Sequence, residues 1–141
     1  MNKMSSTIQF IYFKDYENSC KFFTDLLGLE VIPQTDWCTI WKVTDTSFIG
    51  GVDAVKRERN YWAENKCGLF SFNVPNTDML AEIHKNLCNA GYEPTELRIG
   101  NQGGVDGLSG FWVVGPEGWS FEFETFGKGK DREVFHPELT D

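Results

Sequence analysis

Two segments of this chain carry the same punctuation in the same order. Ile11 and Phe13 precede Phe72 and Val74 by 61 positions, Asp15 precedes Asn76 by 61, and Pro33 precedes Pro94 by 61. Gly28 and Gly91 stand 63 apart, so the second helix is about two residues longer. Identity between the segments is low, and the match lies in pattern. A fixed period of this kind marks a repeated supersecondary unit.

The elements follow from local chemistry. "IQFIYF", Ile8–Phe13, is aromatic and β-branched and reads as a strand. Asp15 can cap a helix in which Cys20, Phe23, Leu26 and Leu27 recur at helical spacing, with Gly28 as its C′ residue. Leu29–Pro33 is extended, and "WCTIWKVTD" and "SFIGGVDA" are two further strands. The order repeats: "CGLFSFNV" is a strand, and Asn76 or Thr77 caps a helix with an apolar stripe of Leu80, Ile83, Leu87 and Ala90. Gly91 ends that helix, "YEPTELRI" is extended, and "GFWVVG" and "WSFEFETF" flank a "GPEG" turn. The reading is one α+β domain, 1–141, of tandem βαβββ modules at 7–54 and 68–126. A polar linker spans 55–67, and a polar, loosely packed tail spans 127–141.

Composition excludes several functions. With 13 basic and 21 acidic residues the net charge is −8, which disfavours nucleic acid and anionic membranes as partners. No run approaches the roughly 20 apolar residues of a membrane span, and "MNKMSSTIQF" lacks a signal peptide's apolar stretch. Cysteines 20, 38, 67 and 88 form no CxxC pair, so a zinc finger is not indicated. Cys20 and Cys88 fall near the helices' apolar faces and are expected as small buried hydrophobes in a reducing cytoplasm.

Three stretches resemble the vicinal oxygen chelate superfamily of glyoxalases, bleomycin-resistance proteins and extradiol dioxygenases. They are "IQFIYFKDYENSCKFFTDLLGLEV", "FSFNVPNTDMLAEIHKNLCNAGYEP" and "FWVVGPEGWSFEFET". The resemblance implies that each module curls its strands into half of an open mixed-sheet barrel, with helices outside and the site inside. Strand alternation then assigns faces. Phe121, Phe123, Phe72, Val74, Ile11 and Phe13 pack under helices. Ile8, Phe10, Tyr12, Leu69, Ser71, Asn73, Ser120, Glu122 and Glu124 face inward, with Glu122 deepest.

The family's metal-dependent members take His, Glu or Gln donors from the first and last strand of each module. Those positions here are Ile8, Gly50, Leu69 and Glu122. One carboxylate does not hold an ion, so no metal or other cofactor is expected. A slip of one residue would bring Gln9 inward, but Phe13 would follow it. His84 is expected as solvated helix surface, and His136 lies in the tail. No Ser-His-Asp or Cys-His arrangement is indicated, and the Gly-rich loop 101–110 lacks a P-loop's Gly-Lys-Ser/Thr.

The candidate ligand-binding residues are Phe10, Tyr12, Trp41, Ser71, Asn73, Trp112 and Glu122. Glu122 is also the candidate catalytic acid or base, because burial raises a carboxyl pKa. Three functions stay open. One is a metal-independent binder of a small aromatic or cationic compound, similar to the bleomycin-resistance branch and paired as a homodimer. Another is a glyoxalase-like lyase or isomerase using Glu122 as acid/base or metal ligand. The third is a structural or regulatory domain whose cavity is filled.

Overall fold

The structure, a computed structural model, describes residues 4–59 and 66–139. It divides into two compact units, Met1–Asn65 and Lys66–Asp141. Part of the expected linker, 60–65, lies outside the described residues.

The first unit runs β1 (Thr7–Phe13), α1 (Tyr16–Lys21), β2 (Glu30–Thr35), β3 (Cys38–Lys42) and β4 (Ser47–Asp53). Asp15 caps α1 by accepting the Asn18 N–H. The helix then widens into a π-turn over Phe22–Leu26, where the Leu27 N–H reaches back to the Phe22 carbonyl. The consecutive Phe22 and Phe23 are both buried there. Gly28 follows at φ 67°, the left-handed conformation that lets the chain leave a helix at low steric cost. The strands form an open mixed sheet in the order β1-β4-β3-β2, with β1 and β4 parallel. Its helix-side core holds Ile11, Phe13, Phe22, Phe23, Trp41 and Ile49. The Phe23 and Trp41 rings lie 4.7 Å apart, and the Trp41 indole N–H donates to Thr24 Oγ1 at 2.9 Å.

The second unit repeats the plan. β5 (Leu69–Asn73), α2 (Thr77–Asn89), β6 (Leu108–Val114) and β7 (Ser120–Phe126) form a three-stranded sheet in the order β5-β7-β6, again with first and last strands parallel. Asn76, not Thr77, caps α2 through the Met79 N–H, and Gly91 closes it at φ 92°. The expected fourth strand at 92–99 is reduced to a single bridge, Arg98 with Gly110. One step away the Trp112 N–H goes to the Thr95 hydroxyl instead of a backbone carbonyl, so the ladder breaks. Beneath α2 lies a phenylalanine ladder. Phe70, Phe121, Phe72, Phe123 and Phe111 follow one another at centroid separations of 5.3 to 6.1 Å, each ring near-parallel to the next.

The tail is not loosely packed. Gly129–Phe135 forms a third helix, α3, docked on the end of β7. The Phe126 N–H donates to His136 Nε2 at 2.9 Å, Arg132 Nη1 donates to the Phe126 carbonyl at 2.6 Å, and the Phe126 and Phe135 rings sit 4.8 Å apart. His136 is fully buried. Its Nε2 accepts, so the neutral ring carries its hydrogen on Nδ1, which faces Glu138 Oε1 at 3.6 Å. The polar composition concealed this clasp, because its anchors are one histidine and one arginine serving the backbone of a single residue. His136→Leu keeps the packing but strands a buried N–H. It should cost about 1–3 kcal/mol in urea denaturation, whereas His136→Gln, which keeps an acceptor, should cost less.

Candidate functional site

In each unit the sheet face away from the helix is free for a site. On the first unit it carries Phe10, Tyr12, Ile40, Val52 and Cys38, with Gly50 opposite Phe10 in the parallel register. Cys38, Ile40 and Val52 are buried together, and Tyr12, Ile32, Trp37 and Phe48 pack against them. An open cavity of about 420 Å³ lies on this face. Its apolar walls are Phe10, Tyr12, Trp37, Cys38, Ile40 and Val52; its polar groups are Gln34, Thr35, Arg57 and Arg59. The Arg57 guanidinium stacks over the Trp37 indole, 4.1 Å from its centroid. Burial pushes the Cys38 thiol pKa up, so it stays protonated and unreactive at neutral pH.

The second unit offers different chemistry at matching positions. Ser71 pairs with Glu122, which pairs in turn with Trp112; Asn73 pairs with Glu124, which pairs with Gly110. Ser71 Oγ donates to Glu124 Oε1 at 2.8 Å. Glu124 is 9 % exposed, and its carboxyl pKa is raised from the ordinary 4.5. Desolvation is the main cause and the neighbouring Glu122 carboxylate a further one, while the Ser71 hydrogen bond opposes both. Glu122 and Glu124 stand two positions apart on the same face of β7.

The candidate residues are thus divided. Phe10 and Tyr12 line the first unit's cavity. Ser71, Asn73, Trp112 and Glu122 share the second unit's open face, where Trp112 is 46 % exposed. Trp41 is a correction: it is fully buried on the helix side. Its strand neighbours Ile40 and Lys42 take the opposite face, so parity excludes Trp41 from the cavity. Glu122 is a second correction, since the deeper carboxylate is Glu124. β7 enters the unit's interior toward its C-terminal end, where Glu124 and Thr125 are buried.

Sequence reasoning missed three features. Arg57 and Arg59 were assigned to a polar linker, yet the turns after β4 fold them onto the cavity, with the Arg57 N–H on the Asp53 carbonyl and the Arg59 N–H on the Ala54 carbonyl. Trp37 precedes β3 and was passed over for Trp41. His84 is not simply solvated: its ring edge packs on Phe111 at 4.9 Å and its Nε2 bonds the Thr95 carbonyl at 2.9 Å. Its Nδ1 faces Cys88 Sγ at 3.8 Å, so a Cys-His pair does exist, at the i,i+4 spacing that would have signalled it. Cys88 is exposed, not buried. Neither residue lines the cavity.

A divalent ion does not fit these residues. Among the described residues no three His, Cys, Asp or Glu stand together. A Cβ at Gly50 would lie 2.5 Å from the Phe10 ring, so that ring fills the space a donor would need. Gln9 shares its face with Ile11 and Phe13, not with the cavity.

The raised Glu124 pKa yields a pH signature. Between pH 4.5 and the raised folded value of Glu124, the folded chain holds more protons than the unfolded one, so stability falls as pH rises. Glu124→Gln keeps the Ser71 acceptor and removes the charge. Its Tm should exceed the parent's at pH 7.5 and match it near pH 4, as thermal unfolding at the two pH values checks.

The sequence matches no protein-family model and no curated protein sequence. Solved structures do match in fold. A glyoxalase/bleomycin resistance protein/dioxygenase family enzyme from Burkholderia phytofirmans superposes with a TM-score of 0.69 at 14 % identity, covering 84 % of this chain and 96 % of that one. A lactoylglutathione lyase from Agrobacterium tumefaciens gives 0.66 at 14 % identity over 88 % and 95 %. A fosfomycin resistance protein from Listeria monocytogenes gives 0.68 at 14 % identity over 94 % and 98 %. No helix among the described residues is long and apolar enough to cross a membrane. The repeated order of elements, the open mixed sheets and these matches together give the chain the fold of the vicinal oxygen chelate superfamily.

Proposed function

We propose that the chain is a metal-independent small-molecule-binding protein of the glyoxalase/bleomycin-resistance type. The observation that carries this reading is the aromatic-walled cavity of about 420 Å³ on the first unit's open face. Its size lies within the range of small-ligand sites, and its walls are apolar with a few polar groups at the rim. The filled-cavity alternative fits poorly, because Phe10 lies over Gly50 and leaves the space between the strands and Arg57 open. The same reading includes a cytoplasmic homodimer. Four free thiols suit a reducing compartment. A second copy would cover exposed apolar groups such as Trp112 and Val114 on β6.

A second reading, a lyase or isomerase, is favoured by the Glu122–Glu124 pair. Two carboxyl groups two positions apart on one sheet face can give a proton to one substrate atom and take one from another. In this version Glu124 is the acid and Glu122 the base. Bell-shaped pH dependence, lost in both Glu122→Gln and Glu124→Gln, would identify it.

The test combines metal analysis with thermal shift on the purified chain, and light scattering on the same sample. A small aromatic ligand at about 100 times its Kd should stabilise the fold by about 2.7 kcal/mol. Chelator should leave Tm unchanged, and the mass in solution should be twice 16.1 kDa. Stoichiometric zinc, nickel, manganese or iron would overturn the metal-independent reading, and a monomer would remove the dimer from it.

A further inference from the structure

We infer that Asp36 is a positioning residue for the first unit's cavity: its ion pair with Lys56, made outside the cavity, holds the Trp37 wall and the Arg57 rim in place, so that ionic strength tunes binding. This rests on the small-molecule reading and adds a regulation of that site. Thr35 and Cys38 face each other across β2 and β3, so Asp36 and Trp37 are the two turn residues of that hairpin. Thr35, Trp37 and Cys38 line the cavity, while Asp36 between them lies outside its lining. Opposite stands the turn after β4, where Arg57 lines the cavity and Lys56 just before it does not. Two adjacent rungs join the turns. Lys56 Nζ donates to Asp36 Oδ2 at 2.9 Å, and the Arg57 guanidinium lies 4.1 Å from the centre of the Trp37 ring. The Asp53 N–H donates to the Trp37 carbonyl at 2.9 Å and anchors both turns at their base.

The turn after β4 has a reason to need fastening. Glu58 sits at φ 53°, the left-handed conformation that a residue with a β-carbon adopts only at a cost. Lys56 is oriented from behind as well, because Asp53 Oδ1 accepts its backbone N–H at 3.0 Å. The hydrogen bond and the attraction between the two charges lower the Asp36 carboxyl pKa and raise that of the Lys56 amine. The Lys56 and Asp36 side chains are 51 % and 75 % exposed, so counter-ions reach the pair and screen it. Such a pair adds little to overall stability. Its leverage lies in preorganisation. With the turns fastened, a ligand meets a formed wall. With them loose, the ligand must order Trp37 and Arg57 as it binds, and affinity falls by that entropy.

The probe is 1-naphthol, an aromatic compound without charge at neutral pH, so that salt acts on the complex through the protein. Calorimetry on the full chain follows its affinity from about 20 mM to about 300 mM sodium chloride, a range over which exposed charges become screened. The indole N–H resonance of Trp37 reports where it binds. Affinity should fall about two- to fourfold across that range, as an exposed ion pair implies. In Asp36→Asn the affinity at low salt should already match the parent's at high salt, and the salt dependence should vanish. Exchanging the charges, with Asp36→Lys and Lys56→Asp together, should restore both, which a purely steric role of Asp36 would not. A parent affinity indifferent to salt, or a salt dependence that survives in Asp36→Asn, with the Trp37 resonance still moving, would overturn the positioning role and leave the small-molecule reading standing. If naphthol neither binds nor moves that resonance, the small-molecule reading falls and this inference with it.

Discussion

The pairing of first strand with last, in parallel, is the constraint on which each unit depends. Parallel neighbours cannot be joined by a tight turn, so the chain must cross over, and here the crossover carries the helix. That helix covers one face of the sheet and leaves the other open. Strand alternation then separates every residue of β1, β4, β5 and β7 into packing and site. Ile11 and Phe13, or Phe72 and Val74, hold the helix down; their strand neighbours take the open face.

From that common plan the two open faces diverge. At equivalent positions the first unit sets Phe10 against Gly50 and Tyr12 against Val52, while the second sets Ser71 against Glu122 and Asn73 against Glu124. One face is an aromatic cavity with arginines at its rim, and the other a hydroxyl-bonded carboxyl pair. The buried layers diverge less. Each is dominated by aromatic rings, with Phe23 against Trp41 in one unit and the phenylalanine ladder in the other.

Much of the architecture was legible in the sequence. The 61-residue period, the caps Asp15 and Asn76 and the paired glycines encode it in local chemistry, which does not wait on tertiary context. The sites were less legible, for physical reasons that differ by residue. Trp41 was misplaced because "WCTIWK" holds tryptophans four apart, of which Trp37 lies in the turn before β3 and reaches the cavity while Trp41, inside the strand, is buried. Glu122 and Glu124 share a face, and only the depth of β7 in its unit tells them apart. Arg57 and Arg59 sit in a segment whose composition says solvent and whose hydrogen-bonded turns say otherwise. The clasp of His136 on Phe126 depends on one imidazole lone pair, which no periodicity records.

A side chain at position 50 and the Phe10 ring in its present place exclude each other. A donor introduced at position 50 needs the volume that the ring occupies, and a displaced ring removes a wall of the aromatic cavity. A single substitution there therefore trades one kind of site for a damaged version of another. The absence of one β-carbon at position 50 is what lets the Phe10 ring stand as a wall of the cavity.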